Sequence, residues 1–261
     1  MTKTSTPPAQ PPFHELLARI DDRSAALRKV LAGTDPGARV PGCPDWSLRD
    51  LVAHLGEVHR FWAAVVTAGP AEKRPEPGAV GDTTPQGDLA VWSAESTALL
   101  LAALEAAGPE AGCWTWWGAS GAPMTAGAVA RHQVQEAAVH ARDAQEAAGR
   151  PEPLPAAVAV DAIDEFLTVE YGTCGAWPHS PARVALHTAE GPSWLLDLTP
   201  SGAAPVPAGA PADGGQPPAA RLHGPAGDLL LALYGRLPLD RLRIDGDRTL
   251  IDRLLAWSVL D

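Results

Sequence analysis

Four stretches of about twenty residues carry apolar side chains at helical spacing, and all four precede the stiff segment Pro151-Glu152-Pro153-Leu154-Pro155. The first, Phe13 to Ala32, shows a stripe of Leu16, Leu17, Ile20, Leu27, Val30 and Leu31. The second opens on Ser47-Leu48-Arg49-Asp50, which has the form of a capping box, and runs to about Ala68 through Leu51, Val52, Leu55, Val58, Trp62 and Val65. The third is capped by Asp88 and passes Val91, Leu99, Leu100, Leu101 and Leu104 before Gly108. The fourth runs from Ala126 to Gly149, with Thr125 as N-cap and Gly149 and Pro151 as the stop. Four such helices joined in one chain predict a helical bundle over residues 13–150.

Beyond the proline segment the pattern changes. A helix over Ala156 to Tyr171 is followed by two strands, Arg183–Thr188 and Ser193–Thr199, around Glu190-Gly191-Pro192. Pro200 to Pro218 is low-complexity Ala/Gly/Pro and is expected to be mobile. Short strands at Ala220–His223 and Leu242–Asp245 and helices at Gly227–Tyr234 and Arg248–Val259 complete the chain. The expected class is therefore α+β: a disordered tail over 1–12, a bundle over 13–150 and a small α+β domain over 156–261.

A formal charge of −11 argues against a nucleic-acid surface or an anionic membrane as partner. No run of about 20 apolar residues occurs, which argues against a spanning helix. Met1 to Pro12 is Thr/Pro-rich and lacks the apolar core of a signal peptide. Cys43, Cys113 and Cys174 are odd in number and widely spaced, as expected of reduced thiols in a cytoplasmic protein.

The chemistry concentrates on the fourth helix. Glu136 and His140 are four residues apart and project from one face, so a carboxylate and an imidazole can reach one divalent ion. His132 shares that face but lies roughly 12 Å along the axis from His140, too far to join it on one metal. A third ligand must come from another helix, and His54 of the second is the candidate. Two imidazoles and a carboxylate with an open position form the ligand set of a catalytic zinc. The alternative is a charged surface turn plus a core histidine. Asp143, three residues past His140, can orient its ring or serve as a surface charge.

Trp114, Trp116 and Trp117 fall in the loop before the fourth helix, either walling an apolar pocket or plugging the bundle end. Gly69 to Gly87 is a long Pro/Gly/charged loop, a lid or a solvated connection. No nucleophile elbow, phosphate-binding loop or dinucleotide fingerprint is present. His14, His179, His187 and His223 stand at no ligand spacing.

Pro41-Gly-Cys-Pro-Asp-Trp-Ser-Leu-Arg-Asp-Leu-Val-Ala-His54-Leu-Gly and Glu136-Ala-Ala-Val-His140-Ala-Arg-Asp143-Ala resemble the mycothiol-dependent maleylpyruvate isomerase family, within the wider DinB/YfiT-like metal-binding bundles. Gly224-Pro-Ala-Gly-Asp-Leu-Leu-Leu-Ala-Leu-Tyr-Gly-Arg236, then Ile244-Asp-Gly-Asp247, resembles that family's second domain. The resemblance implies Zn2+, or another divalent metal, on His54, Glu136 and His140, and an arginine of the second domain facing the site, for which Arg236 is the candidate. It further implies mycothiol as co-substrate, a small electrophile as substrate, and isomerisation or S-transfer as the reaction. A non-catalytic zinc-bundle binding module and a thiol-independent zinc hydrolase are the alternatives. Where the family reads His-Glu-x-x-x-His, this chain has Gln135 in place of the first histidine.

Overall fold

The computed structural model describes residues 10–206 and 217–258. The described residues divide into two compact units, one formed by Pro11–Gly118 with Pro123–Leu154 and the other by Ala119–Ala122 with residues 155–206 and 217–258. The expected tail falls mostly on residues outside the described ones, as does the centre of the Pro200–Pro218 segment.

The first unit is built on four long helices, α1 (Phe13–Leu31), α2 (Leu48–Ala68), α4 (Leu89–Ala107) and α5 (Ala126–Ala147); between α2 and α4 lies a single turn, α3 (Pro77–Val80). The capping box forms as the sequence predicts. Ser47 Oγ accepts from the Asp50 backbone N–H while Asp50 accepts from that of Ser47. Together the two bonds satisfy donors a helix start leaves open. Asp88 and Thr125 cap α4 and α5 with their side chains alone, accepting from the backbone N–H groups of Val91 and Ala128.

The stretch Gly33–Pro44 between α1 and α2 contains part of a hairpin. β1 (Arg39–Val40) pairs antiparallel with β2 (Cys43–Ser47), which delivers the chain into α2. Five residues with two prolines nearby carry too little alternation to announce strands. The hairpin places Val40 in the core beside Leu27, Leu48, Leu51 and Leu55, against Ala137, Ala141 and Ala144 of α5. Those alanines recur along one face of α5, and their small size lets the leucines of its neighbours approach closely. Fully burying each leucine contributes about 1.5–3 kcal/mol.

Packing between α2 and α4 depends on a glycine. A Cβ on Gly56 would lie 2.1 Å from the Trp92 ring, so only glycine fits there, despite the roughly 1 kcal/mol it costs a helix interior. His59 is fully buried on α2 beside Thr97 of α4. Although no long unbroken apolar run exists, α4 is long and apolar enough by length and composition to cross a membrane. Here it packs on α2 and α1 as a bundle helix.

In the second unit, α6 (Ala156–Thr173) is followed by β3 (Ala182–Thr188), β4 (Ser193–Thr199), β5 (Gly202–Pro205), β6 (Ala220–Gly224), α7 (Ala226–Leu233), β7 (Arg243–Gly246) and α8 (Arg248–Trp257). The five strands form one sheet in the order β5-β4-β3-β6-β7, in which only β3 and β6 run parallel. β5 lies in the stretch expected to be mobile; a small-residue strand has no apolar alternation to betray it. Alternation along the other strands buries Val184, Leu186, Trp194, Leu196 and Leu222 on one face. The opposite face carries Arg183 paired to Asp197 across β3 and β4, beside Ala185 and Leu195. The observed class is thus α+β, a helical unit followed by a sheet-containing one.

Candidate metal centre

The fourth long helix, α5, brings Glu136 and His140 to one side, as the i,i+4 spacing requires, and α2 supplies His54 from across the bundle. Glu136 Oε1 lies 3.2 Å from His54 Nε2 and 3.2 Å from His140 Nε2. One ligand atom from each of the three residues lies within 4.8 Å of the others. The imidazoles meet edge to face, with ring centroids 5.2 Å apart and planes at 84°. Both Nε2 atoms thus approach the same carboxylate oxygen.

His140 is buried and its second nitrogen is engaged, Nδ1 lying 3.1 Å from Asp143 Oδ2. Asp143 is 0% exposed, so its carboxylate is fixed by its surroundings. A histidine that donates Nδ1–H to a carboxylate presents Nε2 as the ligand atom, and the carboxylate raises its basicity. The orienting alternative for Asp143 is the one the geometry realises.

The titration of the cluster follows from this crowding. Burial alone would lower His140, but the Glu136 charge and the bonds from Asp143 and Glu136 outweigh it and push the imidazole up to about 9. Burial would likewise raise the Glu136 carboxyl, yet the charge on His140 and hydrogen bonds from both histidines hold it well below the usual range. Two imidazole nitrogens and a carboxylate, one of them backed by Asp143, suit a zinc-class divalent ion, and the residues present fit such a group.

Two aromatic regions flank the cluster. Trp46, delivered by β2, has its ring 4.6 Å from that of His54 and 6.1 Å from that of His140. On another side Glu136 lines a pocket of about 270 Å³ together with Phe61, Trp62, Arg74, Trp114, Trp116, His132 and Gln133. The tryptophan loop therefore serves both expected ends. Trp114 and Trp116 wall the pocket, while Trp117 is 0% exposed, with Nε1–H donating to the Pro123 carbonyl. Gln135 contacts His132, with Nε2 3.0 Å from Nδ1, and so acts beside the triad and not within it.

Sequence reasoning missed Trp46, Phe61, Arg74 and Gln133. Trp46 stood in a quoted motif without a role, and the others carry no spacing signal because loop and helix meet only in the fold. Arg236 lies just past α7 in the second unit, where its Nη1 donates to the Tyr234 carbonyl and its guanidinium sits 5.5 Å from the centre of the Tyr234 ring.

The N-terminal domain model of mycothiol maleylpyruvate isomerase matches residues 17–145, and the C-terminal domain model of the same family matches residues 157–253. Among solved structures, the mycothiol-dependent maleylpyruvate isomerase aligns at 15% identity with a TM-score of 0.61, covering 90% of this chain and 93% of that one. A histidine-to-alanine mutant of that enzyme aligns at 16% identity with a TM-score of 0.63 and the same coverage. No curated protein matches the sequence. The likeness to the solved structures is one of fold; the two family models, matched in their natural order along most of the chain, carry the assignment. This chain belongs to the mycothiol-dependent maleylpyruvate isomerase family, a family of enzymes.

Proposed function

We propose that the chain is a divalent-metal and mycothiol-dependent enzyme that activates the thiol for addition to an electrophilic small molecule. The outcome is cis-trans isomerisation, or S-transfer where the adduct is kept. The observation that carries this reading is the meeting of His54, Glu136 and His140 at one point beside an aromatic-walled pocket. A zinc-class ion, if held by these three residues, would supply positive charge that favours a bound thiolate over the thiol at neutral pH.

The chain's own residues set the rest. Asp143 holds the His140 ring so that Nε2 faces the cluster. Trp46 covers the two imidazoles, and Trp62, Trp114 and Trp116 present an apolar wall that displaces water from the pocket. There a thiolate adds to the carbon of a cis double bond conjugated to a carbonyl. The former double bond becomes a rotatable single bond, and expulsion of the same thiolate restores the alkene as the trans isomer. No electrons are gained or lost overall, and the thiol is regenerated.

In this reading residues 13–150 are the metal-binding bundle and 156–261 a second domain that contributes Arg236 to an anionic substrate. The use of a low-molecular-weight thiol suits a reducing cytoplasm.

Calorimetry of mycothiol binding to the zinc-loaded chain, in buffers of different ionisation enthalpy, tests the proposal. Binding as the thiolate releases a proton. Turnover of a cis-enoyl ketone must then require the thiol, and Arg236→Ala must lower it without loss of metal. Absence of thiol binding at millimolar concentration defeats the reading, and turnover without any thiol favours a hydrolase.

A further inference from the structure

The pocket beside Glu136 has a composition that specifies more than a cavity. Its wall is aromatic: Trp62 and Trp114 lie nearly parallel, with centroids 6.3 Å apart, and Phe61 meets Trp114 edge to face at 6.1 Å. Trp116, 40% exposed, extends the wall outward, its ring 5.7 Å from that of His132. One cation reaches the pocket. The Arg74 guanidinium lies 5.1 Å from the centre of the Phe61 ring, and it has no carboxylate partner among the described residues. One neutral polar group is built into the wall. Gln133 is 0% exposed, and neither its amide nitrogen nor its carbonyl oxygen has a partner among the described residues.

These three features call for one kind of ligand. Buried amides are almost always hydrogen-bonded, so a vacant pair of donor and acceptor on a pocket wall points to a ligand that supplies the complements. An arginine held over an aromatic ring keeps its planar fork free for a carboxylate. The flat indole and phenyl walls favour a planar, apolar body. Arg74 is the only arginine or lysine in the lining, so a second carboxylate would find no second guanidinium or ammonium there.

We propose that this pocket binds a small planar or aryl monocarboxylate carrying a hydrogen-bonding carbonyl or hydroxyl, with Arg74 on the carboxylate, Gln133 on the neutral polar group and Trp62, Trp114 and Trp116 on the body. Within the thiol-addition reading, on which only its role as electrophile rests, this ligand is the substrate. Its specificity is then for an aromatic monoanion over a small aliphatic diacid. Arg74 and Gln133 become specificity-determining residues.

The test uses probes that cannot react with a thiol. 3-Phenylpropionate, 3-phenylpropanamide and succinate are titrated into the full-length chain, and affinity is read by calorimetry and by quenching of tryptophan fluorescence. The expected result is that 3-phenylpropionate binds at least tenfold more tightly than either the amide or succinate. Arg74→Gln, at an exposed position that leaves the core untouched, should remove that tenfold preference over the amide. Trp116→Leu should weaken all aryl probes together. A polar aryl probe, phenyllactate, should lose its advantage over 3-phenylpropionate in Gln133→Leu. The assignment is overturned if no aryl carboxylate binds at millimolar concentration, if succinate binds equally well, or if Arg74→Gln and Trp116→Leu bind like the parent. Because no thiol is present, probe binding that persists while thiol-dependent turnover is absent overturns the enzyme reading and leaves this pocket assignment standing. Thiol-dependent turnover without probe binding does the reverse.

Discussion

The chain holds two clusters of two imidazoles and one carboxylate, one in each unit, and they behave differently. In the helical unit His54 and His140 both reach a single oxygen of Glu136, at 3.2 Å each, with their rings at 84°. In the sheet unit His187 and His223 stack face to face, with centroids 4.7 Å apart and planes at 18°. They look to separate partners, Ser193 Oγ at 2.9 Å and Asp245 Oδ2 at 3.0 Å. Strand pairing explains the stack: His187 and His223 are register partners on the parallel strands β3 and β6, so their side chains leave the sheet side by side. Helices crossing in a bundle aim side chains inward at one another, whereas neighbouring strands aim them in parallel. Equal composition gives a convergent site in one case and a surface ladder in the other. Their titration differs accordingly. His140 is raised to about 9, mainly by the Glu136 charge acting against burial, while burial, with the charge of His223, lowers His187, and burial, with the charge of Arg243, lowers His223.

The largest expected effect comes from a buried histidine outside either cluster. His59 has no carboxylate in contact, and burial lowers its pKa to about 3 despite the attraction of Glu136. The unfolded chain takes up this proton near the ordinary value of about 6.5 and the folded chain does not. Stability present above pH 6.5 is therefore lost as pH falls, reaching as much as about 5 kcal/mol by pH 3. Denaturant melts of the parent and His59→Gln between pH 7 and 4 measure it. An unchanged pH slope in the variant would mean that other groups carry the acid sensitivity.

Glu136→Gln sharpens the comparison at the convergent site. It keeps the shape but removes the charge that both imidazoles share, and thiol-dependent turnover should fall by at least about 10³-fold, roughly 4 kcal/mol. The fold should persist, since the alanine face of α5 that builds the core is untouched. Asp143→Asn acts one step further out. It leaves the three donors in place but removes the charge behind His140, so metal affinity should drop by about 10–100-fold, as for other carboxylates that orient a ligating histidine. Competition with a fluorescent chelator reads the change, and an affinity within twofold of the parent would reduce Asp143 to a buried packing residue.

Asp245→Asn carries the smallest effect. That carboxylate is 45% exposed and pairs with His223 and Arg243 at the sheet surface. Stability should move by less than about 1 kcal/mol, with no change in metal content. A loss of metal in this variant would break the distinction between the two clusters.

What the sequence disclosed follows the same division. Helical period and capping residues announced α1, α2, α4 and α5, because caps and 3.6-residue spacing are local properties. Glu136 and His140 were legible together because i,i+4 spacing is also local. His54 needed the resemblance to join them with any force, since nothing in spacing says which face of α2 meets α5. Nothing in local sequence shows that Gly56 must be glycine to admit the Trp92 ring. The pairing of His187 with His223 depends on strand register between segments 36 residues apart, and Arg74 with Gln133 on a loop folding over a helix. Such meetings leave no trace in local pattern. β5 was hidden by its small residues, and β1 and β2 by their brevity.

The central claim is that His54, Glu136 and His140 hold one divalent ion, and metal stoichiometry tests it most directly. The parent chain and His140→Ala are stripped with a chelator, reloaded with zinc, desalted and analysed by elemental mass spectrometry. Circular dichroism establishes in parallel that the helices remain. The account predicts one zinc per chain in the parent and less than a tenth of that in a folded His140→Ala. Equal occupancy in the two proteins, or no retained zinc in the parent, would contradict it.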